Sequence, residues 1–395
     1  MHVFCFKKLN TAISRSKVLF CLFFPVIFVS AYAQEITAID LRLKEIPQEK
    51  TESTLLLASW INDNFSGETD KVTAVYVWLS RNISYDIAGM YNTQYYKTTD
   101  EAVKKTLKSR KAVCQGYAMV FTETCKNMNI QAWTISGYTR QNGQIVKLSH
   151  AWNSARIEGK WFLFDPCWGA GYVKDGQFYS YFNLDYFKLT PEKMLLTHMP
   201  FDPLWQFSEH PIRPSAFDNG KLEHDPNTSL FNFTDTLTAY SALPAIAQTI
   251  AKLSRIEQNG LTNEMTGIEA GYLRTEISVF NQNTVINQYN DAVLLFNSGI
   301  GLFNKYVNFK NKQFKPKLTD SQIRLMIDTV GITLKKSQAI LSALQSNDET
   351  LIANINTVKS AVIDSIKRFE EESAFVTKYL KTAPILRKTL FYKRP

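Results

Sequence analysis

The sequence predicts an α+β domain followed by an all-α helical domain, and three observations carry that prediction. Apolar residues recur at helical spacing over Thr54 to Phe65, Lys71 to Asn82 and Ala112 to Met128, and then the period changes to two. Gln131 to Tyr138, Lys147 to Ile157 and Trp161 to Phe164 read as strands rich in aromatic and β-branched residues. Helices first and a sheet afterwards argue against alternating βαβ units. From about Phe217 onward, Asn, Thr, Gln and Lys mix into long helical patterns with no strand signal.

Five helices are expected in that second part: Asp235 to Gln258, Asn263 to Phe280, Val285 to Phe309, Thr319 to Gln345 and Glu349 to Leu380. Breaks are expected at Asn259-Gly260, Gln282-Asn283, Lys315-Pro316-Lys317 and Asn347-Asp348. Thr319-Asp320 and Asp348 offer N-caps, and a bundle is the simplest way to bury the apolar faces. The segment Glu209 to Asn227, which contains Pro211, Pro214 and Pro226, separates the two parts. The expected organisation is therefore residues 1–33 as a leader, 34–214 as the mixed domain and 215–395 as a helical bundle of unassigned role.

The leader has the form of a secretory signal peptide. Lys7, Lys8, Arg15 and Lys17 precede an apolar run from Val18 to Val29, and Ala31-Tyr32-Ala33 supplies a small-x-small cleavage site before Gln34. Export to the periplasm, the cell surface or the medium is expected, with a retained signal anchor as the alternative. The run falls short of the ~20 residues of a spanning helix and contains Pro25, and no other segment is apolar for long enough to span. The net charge of +9 includes four leader cations and no leader acid, so the remaining chain carries +5 with its charges well mixed. Nucleic-acid binding finds no support in that pattern. The basic cluster of Arg387, Lys388, Lys393 and Arg394 fits either a solvated helix end or a membrane-surface contact. Sequons stand at Asn64, Asn82, Asn227 and Asn232.

Removing Cys5 and Cys21 with the leader leaves Cys114, Cys125 and Cys167, so at least one thiol stays free. Cys114 lies where the basic stretch Lys108-Ser109-Arg110-Lys111 gives way to a long apolar-periodic helix. At a helix N-terminus the dipole and the unpaired amides favour an anion and can hold an oxyanion, which suits a nucleophile. Such a thiol needs a base, and His150 opens a strand in Ser149-His150-Ala151-Trp152-Asn153. If Glu158-Gly159 is a two-residue turn, Ile157 faces Lys160 and Trp152 faces Asp165. His150 shares a face with Trp152, and diagonal neighbours of this kind lie ~7 to 8 Å apart, so Asp165 can reach the imidazole and fix its tautomer. A slip of one residue would put the two side chains on opposite faces. Cys114, His150 and Asp165 thus meet the requirement for nucleophile, base and orienting acid.

Together these segments resemble the motif series of the transglutaminase-like superfamily. The series is Cys114-Gln115-Gly116-Tyr117-Ala118, Gly137-Tyr138, His150-Ala151-Trp152-Asn153 and Phe164-Asp165-Pro166-Cys167-Trp168-Gly169. The stretch Val77-Trp78 to Tyr85-Asp86 is similar to the helix and tyrosine that precede the nucleophile in the kyphoscoliosis-peptidase-type branch. The resemblance implies a papain-like core, in which a cysteine-bearing helix packs on an antiparallel sheet. It implies acyl transfer from a peptide or protein amide without a cofactor, and favours hydrolysis over cross-linking. Members of the superfamily cross-link, deamidate, cleave peptides or have lost activity, so a non-catalytic binding module is the alternative. Tyr85 and Gln115 become candidates for the oxyanion site, and Trp152 and Trp168 for pocket walls or core. Cys167 departs from the pattern of that branch; it could pair with Cys125, or both could be buried thiols.

Other chemistries lack a starting point. The chain has no HExxH, CxxC, Walker, GxGxxG or GxSxG motif, so no metal or nucleotide cofactor is expected. His198 and His210 flank Asp202, but no third and fourth ligand accompany them.

Overall fold

The computed structural model describes residues 34–92, 95–222 and 230–392. The leader, the Asn227 sequon and the terminal Lys393 and Arg394 lie outside the described residues. The chain divides into two compact units, one ending at Gly271 and the other running from Tyr272 to Pro395.

The first unit begins with α1 (34–43), α2 (Thr54–Asn64) and α3 (Glu68–Asn82). Ser53 caps α2 by accepting from the Leu56 amide. Every residue of α3 from Val72 to Ser80 is buried, because the helix runs through the middle of the core with Tyr76 and Trp78 enclosed. A two-residue strand β1 (Ser84–Tyr85) follows, then α4 (Thr99–Ser109), β2 (Lys111–Ala112) and α5 (Cys114–Asn127). Helix α4 was not anticipated, since few of its residues are apolar; Thr98 caps it, and Glu101 reaches back to the Lys97 amide.

The sheet is antiparallel, with strand order β5-β4-β3-β8. Its members are β3 (Ala132–Gln141), β4 (Gln144–Ile157), β5 (Lys160–Phe164) and β8 (His198–Pro200). Glu158 and Gly159, with φ of 51° and 82°, form the predicted turn, and the register follows: Ile157 faces Lys160 and Asn153 faces Phe164. Between β5 and β8 come α6 (Pro166–Ala170), the hairpin β6 (Gly171–Lys174) and β7 (Gln177–Ser180), and α7 (Pro191–Met194). Gly137 on β3 lies opposite both His150 and Pro200, and a Cβ there would collide with the Met199 carbonyl and the Trp152 ring. Glycine lets β8 approach closely.

Helix α5 packs on β3 and β4, and polar side chains fix its register. The Asn153 amide donates to the Ala118 carbonyl at 2.8 Å and to Thr122 Oγ1 at 2.9 Å. Thr134 adds a bond to the same carbonyl at 3.2 Å. Slipping α5 along the sheet would strand these buried groups, so the helix start is held relative to β4.

The first unit also takes in α8 (Pro214–Asp218), α9 (Phe233–Ser241), α10 (Ala245–Asn259) and the first turns of α11 (Glu264–Asn311). The division into units therefore falls later than the compositional change near residue 215. Contacts explain why: Arg255 on α10 makes two bonds to buried Asp202, at 2.8 and 2.7 Å, and Tyr240 packs edge-on to Trp205. Asn263 bridges Tyr138 and Asp218 at 2.9 and 2.7 Å.

In the second unit, α12 (Asp320–Ala343) and α13 (Glu349–Lys381) bury Ile327, Val330, Leu334, Val362, Phe369 and Val376 together with Tyr306 of α11. Thr319 and Asp348 are the N-caps, as expected, and Gln322 completes a capping box with Thr319. Two expected boundaries differ. Asp235 to Gln258 is two helices, because Pro244 has no amide to donate and disfavours helix at the residue before it. At Gln282-Asn283 α11 continues without a break, since Asn and Gln cost a helix interior well under ~1 kcal/mol each and cannot stop it alone.

Removing one member of a buried ion pair leaves the other uncompensated. Arg255→Met should therefore lower the unfolding free energy by about 3 to 5 kcal/mol, and adding Asp202→Asn should recover part of the loss. Urea denaturation of the three variants checks this; an Arg255→Met protein as stable as wild type would contradict it.

Candidate active site

The strand register and the start of α6 place the central carboxylate. Asp165 directly follows β5 and is the N-cap of α6, accepting from the Trp168 amide at 3.0 Å through Oδ1. Its other oxygen, Oδ2, accepts from His150 Nε2 at 2.7 Å. The bond expected between these two residues is present. The carboxylate is fully enclosed, whereas the imidazole keeps 10% of its surface exposed. Trp152 lies roughly parallel to the His150 ring, with centroids 6.1 Å apart and planes at 21°.

With Nε2 committed to Asp165, Nδ1 is the nitrogen left for the thiol, and both residues line the same cleft. Cys114 is the first residue of α5 and is half-buried, and no side chain caps the helix start at Val113. The Gly116 and Tyr117 amides turn back to the Val113 carbonyl, at 2.9 and 3.4 Å, so the first two amides of α5 are the ones left for an oxyanion. Cys114, Gln115, Tyr85, His150, Cys167 and Trp168 all line one cleft of about 1110 Å³. Tyr85 reaches it because β1 pairs in parallel with β2, Tyr85 facing Ala112 just before the cysteine. Burial first, then the Cys167 and Cys114 thiols, push the Tyr85 hydroxyl far up, so it stays a proton donor. Trp152 is not on the cleft wall; it is buried in the core below the imidazole, with its indole N–H unpaired.

The three described cysteines are free thiols. Burial alone holds Cys125 far above the ordinary thiol range, which makes it inert. Cys167, the residue after the first proline of α6, is also raised by burial, then by Asp165 and Cys114.

Residues 57–166 match the family model of the transglutaminase-like superfamily. The chain carries a transglutaminase-like domain. Human kyphoscoliosis peptidase is 30% identical over 203 residues, covering 45% of this chain and 30% of that protein. Its mouse counterpart is 29% identical over 239 residues, covering 53% and 35% respectively. The matched part thus spans about a third of the length of these curated relatives. A solved structure from Cytophaga hutchinsonii, described as a candidate cysteine protease, is 28% identical, covers 25% of this chain and 30% of its own, and has a TM-score of 0.20. Over the matched segment the chain is similar to the kyphoscoliosis peptidases, the branch that the motif series resembles.

One residue at the centre was not foreseen in this role. His198 on β8 points its Nε2 at the same Asp165 oxygen, 3.2 Å away, and its Nδ1 lies 2.8 Å from Thr197 Oγ1. In the sequence it stood beside Asp202 and His210 as an incomplete ligand set. The fold does not assemble that set, because Asp202 is committed to Arg255 and His198 to Asp165. His150, Asp165 and His198 do offer atoms within 4.8 Å of one another. Both histidines engage Asp165 Oδ2 through Nε2, in hydrogen bonds of 2.7 and 3.2 Å.

Burial alone would push His150 down, but the Asp165 charge, the bond to it and the Cys114 thiol outweigh burial and hold the imidazole up to about 10. Burial would raise Asp165, and His150, followed by His198, instead holds it well below the usual carboxylate range. A group with a higher pKa when folded binds more protons in the native state between its two values, so its contribution to stability falls as pH rises through that window. For His150 the contribution is complete below 6.5 and lost on approaching about 10. Relative to His150→Gln, wild type should lose unfolding free energy across that range. Urea titrations of both proteins at a series of pH values read the difference, and a flat difference would contradict the assignment.

Proposed function

We propose that this chain is an exported, cysteine-dependent acyl-transfer enzyme acting on peptide or protein amides. The observation that carries the reading is the His150–Asp165 bond, formed on a sheet whose neighbouring helix starts with Cys114 at a shared cleft. The name of the kyphoscoliosis peptidases supports hydrolysis over cross-linking. Export rests on the signal-like residues 1–33 and expects a mature amino terminus at Gln34.

In this mechanism Cys114 Sγ attacks the substrate carbonyl carbon as the thiolate. Amides in the first turn of α5 receive the developing oxyanion, and the Tyr85 hydroxyl, which lines the same cleft and stays protonated, donates to it. Imidazolium His150 gives its Nδ1 proton to the departing amine as the carbon–nitrogen bond breaks, leaving a thioester on Cys114. His150 then takes a proton from water, whose oxygen attacks the thioester; the acid leaves and the thiol is restored. Asp165 holds one imidazole orientation throughout and stabilises its charge. An amine in place of water would give transamidation by the same steps.

The test is to incubate the purified secreted protein with a proteome-derived peptide library and a primary amine, and to analyse the products by mass spectrometry. New peptide termini that vanish with Cys114→Ala and fall at least about a hundredfold with His150→Ala are expected. Amine incorporation would shift the reading to cross-linking. Product formation that does not depend on Cys114, or none at all, would support a binding module instead. The intact mass of the same sample reads whether cleavage precedes Gln34.

A further inference from the structure

We infer that His198 is a positioning residue of this site, a second imidazole that fixes the Asp165 carboxylate so that it can orient His150; this rests on the roles proposed above for Cys114, His150 and Asp165. The argument begins with the number of donors. A carboxylate held by one imidazole can rotate about its last bond and swing away from it. Here Oδ1 is fixed by the Trp168 amide and Oδ2 by two imidazole nitrogens, so both oxygens are held from three separate elements.

His198 suits that task and little else. It is buried, and its ring is packed by Trp168, Trp152 and Tyr186 at centroid distances of 4.5, 5.1 and 5.6 Å. An ionised carboxylate can only accept, so the His198 tautomer that bonds Asp165 carries its proton on Nε2 and leaves Nδ1 facing Thr197 Oγ1, a hydroxyl that also reaches the Met194 carbonyl at 3.5 Å. Two imidazolium ions on one buried carboxylate would repel. Burial, helped by the charge on His150, pushes His198 down against the pull of Asp165, so it serves as a neutral donor. The carboxylate keeps its full charge for His150 while its geometry is fixed by a group that adds none.

Three measurements on the full-length secreted protein test this. Nitrogen-15 NMR of histidine-labelled wild type should show His198, assigned by its loss in His198→Gln, as the Nε2–H tautomer. A proton on Nδ1 instead would overturn the inference without any variant having to fold. Iodoacetamide alkylation of Cys114 at neutral pH should slow about tenfold in His198→Leu, which lacks the donor, and stay within about threefold of wild type in His198→Gln, whose amide restores it. Equal rates in His198→Leu and wild type, or equal slowing in both variants, would overturn it. Wild-type Cys114 labelling no faster than an ordinary thiol would instead remove the catalytic reading, and this inference with it.

Discussion

Asp165 is the constraint around which the first unit is arranged. A carboxylate without solvent contact is tolerated only when its charge and lone pairs are answered. Its partners come from β4, β8 and the first turn of α6. None of these elements can shift without leaving a buried ion or donor unpaired. The free energy that makes the carboxylate costly to bury is thus turned into the placement of His150.

Cys114 is positioned by a different set of contacts. Asn153 and Thr134 bind α5 through the Ala118 carbonyl, and Asn153 lies on β4 just beyond His150. One strand therefore carries the imidazole and the anchor of the helix that carries the thiol, so errors in sheet twist move both together. Farther out, Arg255 neutralises Asp202 in the chain that leaves β8. That pair links α10 to the strand bearing His198, and explains why the compact unit extends well past the matched segment 57–166.

Much of the site was legible because it depends on local rules. A two-residue turn at Glu158-Gly159 fixes the β4–β5 register, and from that register the His150–Asp165 proximity follows. Cys114 was marked by the change from a basic stretch to an apolar-periodic helix. His198 was not legible in its role, because β8 is three residues long and gains its strand character only by pairing with Tyr138 and its neighbours on β3. Its partner Asp165 is distant in sequence, and nothing local marks the contact. Trp152 illustrates the opposite difficulty: its motif position suggested a wall or core, and although it shares a face with His150 it lies in the run from Ala151 to Ala155 that the fold buries entirely. In the second part, the helix-rich composition was plain, while the boundaries depended on how strongly single residues interrupt a helix: Pro244 does, and Gln282-Asn283 does not.

The most direct measurement of the central claim, a Cys114–His150 ion pair oriented by Asp165, is the iodoacetamide labelling rate of each thiol from about pH 5 to about pH 9, read by intact mass and peptide mapping. Wild type and His150→Ala should be compared side by side. The account predicts one fast label on Cys114 that persists at the acid end and slows sharply in the variant, with Cys125 and Cys167 silent. A Cys114 that labels only as the pH rises, at the same rate in both proteins, would contradict it.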